Sequence, residues 1–276
     1  MRPPPDGTDF AEQYRLYMRQ IGHTAKPPSH WDKKAPAMNR PDRHSQSGYI
    51  QSLLEHIHWD ETATLLDVGC GTGALALAAA GRLKHAYCLD YSPVMLDYLA
   101  RNAAREGIGN YTAICLDKEN DWQGRVPVCD AAVCSRAGLD ADLAALFAKL
   151  NAHARYRVYY THLVGGRFDI PELSAILGQT RAPYPDYILA VNILHQMGFR
   201  PELGYIPSSG RLSGCQNWED FQTAVCGQYG WSDLNQLDRQ TRAELRRWHT
   251  ANAPLFDTPR YGMTWALLSW QPIPPV

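Results

Sequence analysis

Ile50, Leu53, Leu54 and Ile57 fall at i, i+3, i+4 and i+7, the apolar stripe of an amphipathic helix, and the apolar run 64–68 follows directly. Further short apolar runs at 85–89, 111–116, 129–134 and 155–163 predict buried strands, each separated from the next by helix-compatible sequence. Ser92 is suited to cap a helix over 93–105 that opens with Pro93, and Leu143, Leu146, Phe147 and Leu150 give another helix its apolar face. Strands alternating with helices imply a parallel sheet with right-handed crossovers, hence a doubly wound α/β fold with its ligand site at the carboxyl ends of the strands.

The two flanks of this alternation differ from it. Residues 1–46 are rich in Pro, His, Lys and Arg, carry one clear helical stretch near Phe10–Ile21, and suggest a lid or cap over residues 47–276. Beyond residue 165 the pattern predicts a helix at 171–178, a helix with Tyr187, Ala190, Val191 and Leu194 on one face, and a strand at 199–206. Helices near 218–226 and 239–249 come before a final strand at 263–270. The inserted stretches 168–186 and 208–255 are expected to wall a pocket as cap insertions, being too small for an independent domain. The proline-rich ends are expected to be loose.

With 276 residues, 45% hydrophobic and 20% charged, the chain has the composition of a soluble globule able to bury a real core. Its 27 Lys plus Arg against 28 Asp plus Glu leave a net charge of −1, which disfavours a nucleic-acid partner or an anionic membrane. The opening Met-Arg-Pro-Pro-Pro-Asp lacks the apolar core of a signal peptide, and the apolar run 74–80 is too short to cross a bilayer, so a cytoplasmic protein is expected. Seven cysteines without a CxxC pair read as reduced thiols, mostly buried, and not as a metal site.

Chemistry is concentrated in Leu65-Leu66-Asp67-Val68-Gly69-Cys70-Gly71-Thr72-Gly73-Ala74, a strand entering a glycine-rich turn and then a helix. Such a turn lets backbone approach a ligand closely, and the helix start offers unpaired N–H groups. Asp90 closes the second strand 21 residues after Gly69, where a carboxylate can take ribose hydroxyls, and Asp117 closes the third. An NAD site would want GxGxxG, whereas this turn is GxGxG with an acid two residues before it. Asp67 would repel a pyrophosphate but welcome a cation, and S-adenosylmethionine joins sulfonium, ammonium and adenosine in one molecule.

Asp-Val-Gly-Cys-Gly-Thr-Gly at 67–73, then Leu-Asp-Tyr-Ser-Pro-x-Met-Leu at 89–96, resembles the first motif and acidic strand end of class I S-adenosylmethionine-dependent methyltransferases. The resemblance covers about residues 48–165. It implies a Rossmann-like seven-stranded sheet with the last strand antiparallel, and S-adenosylmethionine as cofactor. It also implies that Gly69, Gly71 and Gly73 line the methionine side with Asp67 near the amino group, that Asp90 takes the ribose and Tyr91 flanks the adenine. Asp117 or Lys118 would meet the adenine edge, and Ser135 the donor. The fourth strand ends Cys134-Ser135-Arg136-Ala137 and not in Asn/Asp-Pro-Pro-Tyr, which lowers the case for methylating nucleic-acid bases.

On the acceptor side, His162 after the fifth strand is a candidate base or a hydrogen-bonded structural residue, and Arg136 a candidate partner for a substrate carboxylate or a local ion pair. Trp31 and Tyr49 suggest an aromatic lid that excludes water, with simple packing as the alternative. His195 reads as a core histidine, and Arg239, Arg242, Arg246 and Arg247 as a solvated helix face. The expected function is methyl transfer to a small-molecule acceptor. A non-catalytic binder of the donor, a protein or RNA methyltransferase and an NAD(P)-dependent oxidoreductase remain as alternatives.

Overall fold

The computed structural model describes residues 7–40, 44–215 and 217–273. The proline-rich ends, expected to be loose, and residues 41–43 of the cap segment lie outside the described residues, in part or whole.

Seven strands form one sheet: β1 Thr64–Val68, β2 His85–Asp90, β3 Tyr111–Cys115, β4 Cys129–Cys134, β5 Ala154–Leu163, β6 Glu202–Ser208 and β7 Met263–Trp270. Their order is β3-β2-β1-β4-β5-β7-β6, with β1 to β5 parallel and the last strand antiparallel. The central strands β1 and β4 are the most apolar and almost wholly buried, while β3 and β6, at the two edges, show mostly exposed or half-exposed positions. Because β1, β2 and β4 run the same way, Asp67, Asp90 and Ser135 come to the carboxyl ends of neighbouring strands, on one side of the sheet's length.

The helices are α1 Phe10–Gln20, α2 Pro28–Asp32, α3 Ala35–Met38, α4 Gly48–Glu55, α5 Ala74–Ala79, α6 Pro93–Glu106, α7 Leu143–Ala152, α8 Pro171–Ile176, α9 Tyr187–Gln196, α10 Trp218–Tyr229 and α11 Arg239–Asn252. Capping sets several starts: the Ser92 hydroxyl accepts from Met95 N, Asp142 from Ala145 N and Asp238 from Thr241 N. Gly107 and Gly230 end α6 and α10 in the left-handed conformation.

The chain divides into two compact units. The larger comprises residues 1–162, Pro185–Ile206 and Ala266–Val276, and holds most of the sheet. The smaller comprises Leu163–Tyr184 and Pro207–Trp265. Leu173, Phe221, Val225, Leu245 and Phe256 are each at most 1% exposed and form a core within it. Aromatic density builds this core, as Phe221 stacks on Phe256 and packs against Trp248 and His249.

The N-terminal segment is also more firmly placed than its composition suggests. Tyr14 and Met18 of α1 are each 1% exposed. Gln196 of α9 accepts from Phe10 N at 2.8 Å and donates to the Thr8 carbonyl at 2.7 Å. On the same helix, His195 is exposed and the neighbouring Gln196 buried, the reverse of a core histidine, because one step along a helix turns a side chain by about 100°. Among the described residues no helix is long and apolar enough to cross a membrane. Nor do any three or more His, Cys, Asp or Glu side chains among them form a group that could hold a metal ion.

Candidate active site

The glycine-rich turn leaves β1 and is stitched to β2 by two hydrogen bonds to the Leu89 carbonyl, from Gly69 N at 2.7 Å and Cys70 N at 3.0 Å. Its three glycines all have positive φ but different surroundings. A Cβ on Gly69 would strike Ala137, and one on Gly73 would strike the Leu99 side chain. At Gly71 it would meet only Met95 Sδ, at 4.0 Å. Gly71 therefore presents the open backbone face, and the other two allow close packing.

Asp67 lies under this turn, 3% exposed, and its Oδ2 has no hydrogen-bond partner. Burial, and then the charge of Asp90, push its pKa up to about 7. A buried carboxylate oxygen without a partner costs free energy unless a cation or donor reaches it. Asp90 is different: its Oδ2 accepts from Gly71 N and its Oδ1 from Ser92 N, both at 2.9 Å. Burial still raises its pKa, although these N–H groups and that of Tyr91 oppose the rise. Its remaining acceptor capacity is smaller than a bare carboxylate's four lone-pair positions.

The N-terminal segment reaches the turn. Tyr91 donates its hydroxyl to the Lys26 carbonyl at 2.8 Å. Ser92 donates to Asp32 Oδ1 at 2.6 Å. Asn102 of α6 donates to Asn39 Oδ1 at 2.6 Å and to the Thr72 carbonyl at 3.1 Å, with His44 Nε2 3.0 Å away. This network, absent from the sequence reading, ties Lys26, Asp32, Asn39 and His44 to the turn and the strand end beside it. Its signal was an asparagine on the apolar face of a helix, where Asn102 is 1% exposed.

After β3, Asp117 Oδ1 accepts from Glu119 N at 2.9 Å, and the Lys149 ammonium donates to the carbonyls of Lys118, Glu119 and Asn120 at 2.7–2.8 Å. The Lys118 side chain is paired with the buried Asp140. Burial works against its charge, and Asp140 more than restores it. That pairing turns the Lys118 side chain to a carboxylate of its own chain. Lys149 and Asp140 could not be picked out by spacing, since both partners lie far along the chain.

At the ends of β4 and β5, Tyr49 is buried, with its hydroxyl 2.8 Å from Ser135 Oγ and donating to Thr161 Oγ1 at 3.0 Å. The Arg136 guanidinium lies 4.0 Å from the centre of the Tyr49 ring, and its backbone has φ 56°, the one positive value at a non-glycine among the described residues. Left-handed backbone costs a side-chain-bearing residue about 1–2 kcal/mol. The Arg136 N–H donates to Thr161 Oγ1 at 2.8 Å, which contributes to holding it there.

His162 has both ring nitrogens engaged within the protein. It is 1% exposed, its Nε2 lies 2.8 Å from the Pro185 carbonyl and its Nδ1 2.8 Å from the Tyr160 hydroxyl. A carbonyl can only accept, so Nε2 carries a proton, and burial lowers the ring's pKa. The Tyr160 hydroxyl also lies 2.9 Å from the Gly138 carbonyl, so its one proton is shared between that oxygen and Nδ1, and a Cβ on Gly138 would strike the Tyr160 ring. His162 thus braces the loop that carries Arg136.

The donor set fits S-adenosylmethionine: a buried acid with an unpartnered oxygen for its ammonium group, an open glycine backbone at the turn, and a second acid at the next strand end. Comparison with known proteins agrees. The sequence profile of a family described as "Methyltransferase domain" matches residues 65–156. An uncharacterized protein of Haemophilus influenzae is 30% identical over 266 residues, covering 95% of this chain and 96% of its own. A Methanothermobacter thermautotrophicus protein named "Probable cobalt-precorrin-6B C(15)-methyltransferase (decarboxylating)" is 32% identical over 73 residues, covering 26% of this chain and 38% of its own. In fold, the chain is similar to a SAM-dependent methyltransferase from Thiobacillus denitrificans solved with S-adenosyl-L-homocysteine, at a TM-score of 0.54 and 13% identity over 91% of this chain and 100% of that one. The chain belongs to the class I S-adenosylmethionine-dependent methyltransferases.

Proposed function

We propose that this methyltransferase acts in the cytoplasm on a small-molecule acceptor, with Asp67 receiving the donor's ammonium group. The observation that carries the reading is the buried Asp67 carboxylate, its Oδ2 unpartnered, in the strand that runs into the glycine turn with its open position at Gly71. Asp90 takes the ribose with the lone pairs its backbone partners leave, Tyr91 and Asp117 flank the adenine, and Ser135 meets the donor. Gly69 and Gly73 serve by allowing the turn to pack. Trp31 and Tyr49 shield the methyl group from water, and the segment before residue 47 acts as the lid. A small-molecule acceptor is supported by the relative named for a precorrin methyltransferase, whose match covers 26% of this chain.

Bound donor supplies an electrophilic methyl group, and the transfer is an in-line displacement. The protein's share is to hold the acceptor's nucleophilic atom in line and keep water out. Arg136, whose guanidinium lies over the Tyr49 ring, is in this reading the group that meets an anionic part of the acceptor. His162 acts by bracing that loop, and taking a proton does not fall to it.

The test is calorimetric titration with S-adenosylmethionine, S-adenosylhomocysteine, NADH and NADPH, followed by a metabolite screen with labelled donor. Binding of the two methionine derivatives alone, then label in a small metabolite whose turnover falls in Arg136→Ala, is expected. Binding of NADH in their place would overturn the reading.

A further inference from the structure

The smaller unit contains a cavity of about 250 Å³, lined by residues 167–172, Arg211 and 260–263. Three guanidinium groups, those of Arg167, Arg211 and Arg260, share it with two carboxylates, Asp169 and Glu172. Asp169 is engaged by its own neighbours: it accepts from Ser174 Oγ at 2.7 Å and lies 3.5 Å from Arg167. Positive charge is left in excess within a concave surface.

The arginines are held in place. Arg211 Nε donates to the Phe168 carbonyl at 2.6 Å, and its guanidinium lies 5.3 Å from the centre of the Phe168 ring. Arg167 donates to the Arg181 carbonyl at 3.1 Å, and Arg260 lies over the Tyr261 ring at 5.5 Å. An arginine fixed by a carbonyl and an aromatic face loses less freedom on binding than one waving in solvent. The frame behind them is tight: a Cβ at Gly210 would strike the Tyr261 carbonyl, and one at Gly166 the backbone of Tyr184. Trp265 Nε1 also donates to Ser208 Oγ at 3.2 Å.

We infer that this cavity is an oxyanion site, which takes a carboxylate or phosphate group of a small molecule between its arginines. Guanidinium donors match the planar edge of a carboxylate or the face of a phosphate. The site is smaller than the roughly 300–1,000 Å³ of drug-sized pockets, in keeping with a single anionic group or a very small anion. It stands on the smaller unit by itself and requires neither donor binding nor methyl transfer.

The test titrates the full-length protein with inorganic phosphate and with citrate, at fixed ionic strength, by calorimetry. Saturable binding of at least one anion at a single site is expected, and which one binds tells phosphate from carboxylate chemistry. Arg211→Ala and Arg260→Ala should each weaken it tenfold or more. Arg247→Ala removes the same charge from the exposed face of α11 and should leave affinity within twofold. Glu172→Gln, at an exposed position, should tighten binding several-fold and keeps the test valid if an arginine variant misfolds. The inference is overturned if neither anion binds saturably, if Arg247→Ala weakens binding as much as the cavity variants, or if Glu172→Gln leaves it unchanged.

Discussion

Asp67 titrates at about 7 in the folded chain against an ordinary value of 3.8, first because it is buried and then because Asp90 is near. Between those two values the folded chain keeps a proton that the unfolded chain has released. Stability therefore falls as pH rises from about 4 to about 7 and stays low above, by up to roughly 4 kcal/mol at about 1.36 kcal/mol per pKa unit. A bound ammonium group favours the ionised carboxylate, so S-adenosylhomocysteine binding below pH 7 should release a proton and tighten as pH rises. Calorimetry at pH 6 in buffers of different ionisation enthalpy measures that release. Asp67→Asn should abolish the pH slope, weaken binding and stabilise the ligand-free protein at pH 8. A flat profile in the parent protein would take Asp67 out of the cation site. The glycines offer a second contrast. Gly73→Ala meets both a left-handed φ and the Leu99 side chain, and should cost about 2–4 kcal/mol of stability. Gly71→Ala meets only the backbone cost, about 1–2 kcal/mol, yet should lose donor affinity tenfold or more. Donor affinity unchanged in Gly71→Ala would mean the open side of the turn faces something else.

Among the elements, α2 and α3 are too short and too proline-rich to be stable by themselves, so their place depends on what they touch. Asn102 is the main tether, and Asn102→Leu strips its bonds to Asn39 Oδ1 and the Thr72 carbonyl. The expected result is a loss of about 2–3 kcal/mol, as buried partners go unsatisfied, with faster hydrogen exchange over 28–40 and weaker S-adenosylhomocysteine binding. Unchanged exchange there would show that the segment is held by other means. The same distinction explains which elements were legible in the sequence. Strands β1, β4 and β7 have the predicted bounds because short, mainly apolar stretches mark strands that are buried over most of their length. β6 starts at Glu202 and not at 199, because Gly198 turns the chain with φ 93°, Phe199 packs against Trp270, and Pro201 has no N–H for a ladder. α2 and α3 went unread because they have no periodicity of their own. The donor turn is contiguous in sequence and could be read whole. The surroundings of Arg136 are pairs distant in sequence, Tyr49 with Ser135 and His162 with Pro185, and no spacing rule records them.

For the whole molecule, the division of the chain decides how ligands act on stability. Every residue assigned to the donor belongs to the larger unit, whereas Phe221, Leu245 and Phe256 form a separate core in the smaller one. A ligand stabilises the structure it binds by RT ln(1 + [L]/Kd), about 2.7 kcal/mol at a hundredfold excess over Kd. Local unfolding of an element that does not include the binding residues gains none of it. S-adenosylhomocysteine should therefore slow hydrogen exchange in β1, the glycine turn and α6, and leave α10 and α11 close to their ligand-free rates. Denaturant unfolding followed by two probes should separate for the same reason, with only the transition of the larger unit moving to higher denaturant as ligand is added. Exchange in α10 and α11 slowed as much as in α6 would show instead that the chain opens as one cooperative body, and that the two cores share a single stability despite being built from different stretches of sequence.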